Sequence, residues 1–376
     1  MTIARRLLIV GDSFAGGGAE RVILDLVKAA RSSENLHFIV AVARAAGPLE
    51  ADYHANATIY ETGPYRGLHN TPKFARRLRE IIELEKIDVV VSNMTTLNKA
   101  VLRARLLSRN FPPVIIVEHT EIGRQFIHVR SKLKRIMRPI EVKWLYRYAA
   151  RICTVSSGIA DDLQKYCGIH PDHTLTIHNP VDLSRVTETA ERHVSVGALD
   201  GKVIISVGRL EKVKRYDRLI RAFAAISKAR HNFNDRLFII GEGPMRQDLI
   251  NLRDELGLKD RVVMPGFSSN VMEYMRCADL FVSTSAFEGL GNAMLESIAV
   301  GCPCVAFRTS GSTENAKFVG AIKLIEQGDH SGFVSSVVEE LENPRLNVSV
   351  EDKAFVDGLS PDQVLSRYVN LIDALL

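Results

Sequence analysis

The chain has no apolar run long enough to cross a bilayer, and this excludes a spanning helix by length. Its start, Met1-Thr-Ile-Ala-Arg-Arg-Leu-Leu-Ile-Val-Gly11, carries two arginines. The apolar run behind them is too short for a signal peptide and reads as a first strand. Cysteine is scarce and odd in number: Cys153, Cys167, Cys277, Cys302 and Cys304, of which only the last two lie close together. No Cys/His group has zinc spacing, so a reducing cytoplasm is the expected compartment. There is no low-complexity segment, no repeat between the halves and no nucleic-acid motif.

What is present is an ordinary globular composition in a chain of 376 residues. That length exceeds one typical core and implies two domains. The net charge of +5 is mild but uneven. Between Arg124 and Arg151 the chain carries Arg130, Lys132, Lys134, Arg135, Arg138, Lys143 and Arg147 against Glu121 and Glu141 nearby. Ile136, Ile140, Trp144, Leu145 and Tyr148 recur in that stretch at helical spacing. A basic amphipathic segment of this kind rests on anionic membrane surfaces. The alternative is a core-packed helix with a solvated basic face.

Short apolar runs alternate with helical ones. Leu7–Gly11, Phe38–Val42, Val89–Ser92, Val114–Glu118 and Ile152–Ser156 read as parallel strands buried on both faces. The helical stretches Arg21–Ala30 and Pro72–Leu84 lie between them. The pattern restarts with Val203–Val207, Leu237–Ile240, Val262–Met264, Leu280–Ser283 and Cys304–Phe307. Two such runs imply an α/β architecture of two doubly wound domains. The join lies near residues 180–202, where Asn179-Pro-Val-Asp182 makes a turn and a polar stretch follows. Ser360-Pro-Asp-Gln363 is a capping box that opens a last helix with an apolar face at Val364, Leu365, Tyr368, Leu371, Ile372 and Leu375.

Chemistry is expected in the loops. After the first strand comes Gly11-Asp-Ser-Phe-Ala-Gly-Gly-Gly-Ala-Glu-Arg-Val22, whose glycine triplet lets backbone amides approach a ligand. It is neither a Walker loop nor a Gly-x-Gly-x-x-Gly turn. Arg209 and Lys214 flank the loop after Val207, where a guanidinium fork and an ammonium suit a diphosphate. On a surface helix such residues are otherwise merely solvated. Gly241-Glu-Gly-Pro244 and Pro265-Gly-Phe267 close the next two strands, with backbone that can face a nucleobase. Ser285-Ala-Phe-Glu-Gly-Leu-Gly-Asn-Ala-Met-Leu-Glu-Ser297 puts Glu288 on a loop and Glu296 in the next helix. The amides of Leu290, Gly291 and Asn292 lie at that helix's N-terminus, where anions bind. Two carboxylates around such amides suit a sugar joined to a phosphate; the alternative is a solvated helix with two surface glutamates. His119 ends the strand Val114–Glu118, at the usual ligand edge or as a capping histidine.

Taken together, Gly17-Gly-Ala-Glu-Arg-Val22, Glu118-His119, Asn179-Pro-Val-Asp182, Gly208-Arg-Leu with Lys214, Gly241-Glu-Gly-Pro244, and Phe287-Glu-Gly-Leu-Gly-Asn-Ala with Glu296 resemble retaining glycosyltransferase family 4, in order and over nearly the whole chain. The resemblance implies the GT-B fold: two Rossmann-like domains, 1–185 and 186–357, facing a cleft, and a terminal helix, 358–376, packed back on the first. It implies transfer from a nucleotide sugar, UDP-linked in preference to GDP-linked, to a glycan or lipid-linked acceptor in surface-polysaccharide assembly. It implies no cofactor or metal, and there is no Asp-x-Asp run. Arg209 and Lys214 would hold the donor diphosphate, Glu296 the ribose hydroxyls, and Glu288 the sugar hydroxyls beside Leu290, Gly291 and Asn292. His119 would lie near the reacting centre and Gly17 and Gly18 near the diphosphate or acceptor, with Gly243 and Phe267 also on the donor side. The enzyme would be cytoplasmic, peripheral on the inner membrane through 124–151. Other readings are a non-hydrolysing sugar-nucleotide epimerase or a non-catalytic sugar-nucleotide-binding partner. Two departures stand out: Arg215 follows Lys214 where glycine is frequent, and Thr309-Ser-Gly-Ser-Thr-Glu314 is a loose form of the usual glycine-rich loop.

Overall fold

The computed structural model describes residues 5–31, 36–127, 131–184, 201–231, 234–268 and 270–376. The chain divides into two compact units, Met1–Pro180 with Pro361–Leu376, and Val181–Ser360. The expected join after residue 185 lies outside the described residues, and the second change of unit falls at Ser360–Pro361. The two crossings run side by side, with the amide of Val181 donating to the carbonyl of Leu359 at 2.8 Å.

In the first unit the described strands are β1 (Arg5–Gly11), β2 (Leu36–Val42), β3 (Thr58–Glu61), β4 (Val89–Asn93), β5 (Val114–Glu118), β6 (Arg151–Thr154) and β7 (Thr174–Thr176). They form one parallel sheet in the order β3-β2-β1-β4-β5-β6-β7. Ile9 of β1 lies opposite Val40 on one side and Val91 on the other. Every residue of β4 and β5 is buried, which is why those segments read as unbroken apolar runs. The last helix, Pro361–Asp373, packs on helix Gly18–Ala30 and buries Val364, Leu365, Tyr368, Leu371 and Ile372.

The second unit holds β8 (Val203–Val207), β9 (Arg236–Ile240), β10 (Val262–Gly266), β11 (Leu280–Ser283), β12 (Cys304–Phe307) and β13 (Ile322–Ile325), all parallel, in the order β10-β9-β8-β11-β12-β13. Its core gathers Ile204, Phe223, Leu237, Leu280, Val305 and Phe333, and the ring of Phe307 stacks on that of Phe333 at 4.8 Å. In each sheet the strand order reverses once, between β1 and β4 and between β8 and β11. In open α/β sheets the crevice beyond the carboxyl ends of such a pair is the ligand edge.

Three strands have no counterpart among the expected apolar runs: β3, β7 and β13. All are sheet edges. An edge strand has one neighbour, so it needs no continuous apolar run, and β3 and β7 bury none of their residues fully.

Candidate active site

In the second unit, β8 leads into a short turn, Lys212–Lys214, and then into helix Tyr216–Arg230. The β11 loop is stitched to that turn. Thr284 Oγ1 donates to the carbonyls of Lys214 and Arg215, at 3.1 and 3.0 Å, and the amide of Ala286 donates to the carbonyl of Val213 at 2.8 Å. Across this seam Lys214 Nζ lies 2.6 Å from Glu288 Oε1, and Ser285 Oγ donates to the same oxygen at 3.4 Å. Both charged side chains are mostly shielded, 22% and 18% exposed, so water screens their interaction less than at a free surface. They wall a small cavity at the switch point together with Ser206, Tyr216, Thr284 and Gly291.

The backbone around Glu288 is held from a third loop. Gly311 donates its amide to the carbonyl of Glu288 at 3.0 Å, and Asn315 Nδ2 donates to the carbonyl of Leu290 at 2.6 Å. A Cβ on Gly311 would lie 2.8 Å from backbone atoms of Leu290. This glycine is what the loose loop 309–314 retains, and it lets the chain press against 288–290. Gly291 precedes helix Asn292–Ala299, on which Asn292 and Glu296 are half-buried. Gly243 is used for packing: a Cβ there would meet the backbone of Leu210 at 2.6 Å. Phe267, directly after β10, is 43% exposed. Arg209 pairs with its own carboxylate, Nη2 to Glu211 Oε1 at 3.0 Å, and is also largely exposed. The expected clamp residues therefore each hold a glutamate, Arg209 with Glu211 and Lys214 with Glu288. Arg215 occupies a left-handed conformation, φ 52°, and chelates Asp217 with two bonds at 3.0 and 3.1 Å. The left-handed region is where glycine is cheapest; here an arginine adopts it.

In the first unit Gly17 stands at the N-cap of helix Gly18–Ala30 and Gly18 is its first residue. The loop before them is anchored by Phe14, fully buried and stacked on Tyr53 at 4.3 Å. His119 follows β5, half-buried, with Nε2 3.2 Å from Asn93 Oδ1 at the end of β4. Burial pushes its pKa down to about 4, so the ring is neutral at pH 7. Nε2 then donates to Asn93 and Nδ1 is left as an acceptor.

The two halves of the chain match separate family models. A model described as "Glycosyltransferase Family 4" matches residues 16–185 and one described as "Glycosyl transferases group 1" matches residues 188–355. The chain belongs to glycosyltransferase family 4. Among curated relatives, it is 26% identical to the Campylobacter jejuni N-acetylgalactosamine-N,N'-diacetylbacillosaminyl-diphospho-undecaprenol 4-alpha-N-acetylgalactosaminyltransferase, over 94% of each chain. It is 25% identical to the lipopolysaccharide core biosynthesis glycosyltransferase LpsD of Rhizobium meliloti, over 95% of each. Among solved structures, sucrose-phosphate synthase from Thermosynechococcus elongatus superposes with a TM-score of 0.82 at 16% identity, covering 99% of both chains. HepE of Anabaena, in complex with UDP and glucose, superposes with a TM-score of 0.77 at 17% identity, covering 98% of this chain and 100% of that one. These likenesses establish GT-B as the fold.

One side chain in the cavity wall of this family 4 enzyme belongs to no motif of the sequence. Tyr216 is buried in the cavity wall, and burial, then the charge of Glu288, pushes its hydroxyl pKa up, with Ser206 opposing. Glu118, adjacent to His119, is fully buried and accepts from Thr95 Oγ1 at 2.7 Å, Asn98 Nδ2 at 2.9 Å and the Tyr146 hydroxyl. Burial pushes its carboxyl pKa up while the three donors pull it down.

The basic segment forms helix Lys132–Tyr146, capped by Ser131. Leu133, Ile136, Met137, Ile140 and Trp144 are all exposed, at i, i+3, i+4, i+7 and i+11, a single stripe. Leu145 is not part of it: with Val142 and Tyr146 it faces inward. Tyr148 lies past the helix, edge-on to Trp144 at 5.5 Å. At about 100° per residue, Lys132 and Lys143 flank the stripe on one side and Lys134 and Arg138 on the other, all exposed. Arg130 lies outside the described residues. Among those described, no helix is long and apolar enough to cross a membrane.

Proposed function

We propose that this glycosyltransferase is a retaining enzyme. It moves a hexosyl or N-acetylhexosaminyl group from a nucleotide sugar, UDP-linked in preference to GDP-linked, to a lipid-linked glycan at the cytoplasmic face of a membrane. The observation that carries the reading is the Lys214–Glu288 pair at the switch point of the second sheet, with Arg209 on the same loop. A diphosphate placed there meets two cations, and the sugar beyond it meets a carboxylate that accepts from hydroxyls.

Glycosyl transfer breaks the bond from the anomeric carbon to the diphosphate oxygen and forms one to the acceptor oxygen, whose proton passes to the leaving diphosphate. Charge grows on that diphosphate in the transition state, and fixed cations aimed at it are the largest source of acceleration available to such a site. Arg209 and Lys214 fill this role without a metal. Glu296 accepts from the ribose and Glu288 from the transferred sugar. His119, neutral and held by Asn93, is a hydrogen-bonding group at the ligand edge of the first sheet.

The acceptor and location rest on the exposed stripe of helix Lys132–Tyr146. Apolar side chains with lysine and arginine on both flanks match a helix lying flat in an anionic interface. The Campylobacter relative's name, with its diphospho-undecaprenol acceptor, and the Rhizobium relative's role in lipopolysaccharide core synthesis support a lipid-linked glycan. The UDP complexes of HepE support the base. Thermal-shift screening against UDP- and GDP-sugars tests the donor: stabilisation by UDP-sugars is expected, and indifference to every nucleotide sugar would overturn the reading.

A further inference from the structure

We infer that the donor site is neutralised by its own ion pairs, and that Glu211 is a positioning residue that competes with the donor diphosphate for Arg209. The inference rests on the proposed function and deepens it.

Glu211 is well placed for that role. Its amide donates to the carbonyl of Arg209 at 2.8 Å, and its own carbonyl accepts from the amide of Lys214 at 3.0 Å. The backbone of Glu211 is thus pinned between the two clamp residues. Its carboxylate reaches Arg209 Nη2 at 3.0 Å, while Lys214 is taken by Glu288 at 2.6 Å. A diphosphate entering this loop exchanges carboxylate partners for phosphate ones. On departure the carboxylates recapture the cations. Each exchange conserves the number of charge contacts, so the nucleotide is held more loosely than two free cations would hold it. For an enzyme that must shed a nucleoside diphosphate every turnover, product release is often slow, and Glu211 hastens it.

The pair is exposed and therefore weak, so the expected shift is modest. Glu211→Gln should bind UDP about 2–5-fold more tightly, mainly through slower dissociation. UDP should inhibit this variant more strongly as a product. Titration calorimetry and stopped-flow release of UDP and GDP read both quantities in wild type, Glu211→Gln, Arg209→Ala and the double variant. In the Arg209→Ala background, removing the Glu211 charge should change nothing, because the competition has lost its object. Equal or weaker UDP binding by Glu211→Gln would overturn the inference. So would a gain that survives in the Arg209→Ala background, which would mean general repulsion of the anion. If the wild type binds neither UDP nor GDP, the proposed function itself falls and takes the inference with it.

Discussion

Replacing Glu288 by glutamine separates the two tasks of the donor site. The amide keeps the shape of the carboxylate and removes its charge. In the structure this carboxylate lies 2.6 Å from Lys214 Nζ and takes a second bond from Ser285 at 3.4 Å. A hydrogen bond to a charged group contributes about 1.5–3 kcal/mol. If Glu288 holds hydroxyls of the transferred sugar in the transition state, its loss lowers turnover by about 10–150-fold. Affinity for the bare nucleoside diphosphate should behave differently. Lys214 no longer has to leave a carboxylate to meet the phosphates, so UDP should bind as tightly as before or several-fold tighter. Steady-state transfer with labelled donor gives the first quantity and calorimetry with UDP the second. If UDP affinity falls in step with turnover, Glu288 serves the nucleotide rather than the sugar and the division of labour is wrong.

Other outcomes are equally checkable. Arg209→Ala should lower turnover by about 10²–10³ while circular dichroism stays native; near-wild-type rates would assign the clamp elsewhere. Glu296→Gln should weaken binding of UDP and of the sugar donor alike, as expected of a ribose contact. Reversing Lys132, Lys134 and Arg135 to glutamate should abolish sedimentation with anionic liposomes, where each basic residue contributes about 1 kcal/mol, yet spare transfer to a soluble acceptor. A wild type that ignores such liposomes at low salt would remove the membrane assignment. His119 has a pKa of about 4 in the fold against 6.5 unperturbed, so below 6.5 the unfolded chain takes up a proton that the native state refuses. Stability should fall as pH drops from 6.5 towards 4, and denaturant titrations should show His119→Gln losing less over that window than wild type.

The fold was legible wherever burial is complete. β4 and β5, covered on both faces, have no polar residue until their ends, and the helical face of Val364 to Ile372 is continuous because it is buried, in part against helix Gly18–Ala30. β3 and β13 were illegible because edge strands are specified by pairing with one partner rather than by composition. The candidate site positions stand out in the sequence as loop chemistry: glycines where the chain turns or approaches closely, cations and carboxylates at strand ends. Their partners do not. Nothing in the order of residues couples Lys214 to Glu288, which lie on different loops brought together by Thr284 and Ala286. Gly311 carries its reason only in the crowding against Leu290. The basic segment is amphipathic as its spacing predicts, but Leu145 lies on the face opposite the exposed stripe, because apolar residues on both sides of one helix blur its periodicity.

The central claim, retaining transfer from a nucleotide sugar, is tested most directly by product stereochemistry. Purified protein is incubated with a UDP-α-sugar labelled with ¹³C at the anomeric carbon and an undecaprenyl-diphosphate-linked glycan, and the product's anomeric C–H coupling is read by NMR. The account predicts an α-linked product with release of one UDP per bond formed. A β-linked product, or a donor isomerised without transfer, would contradict it.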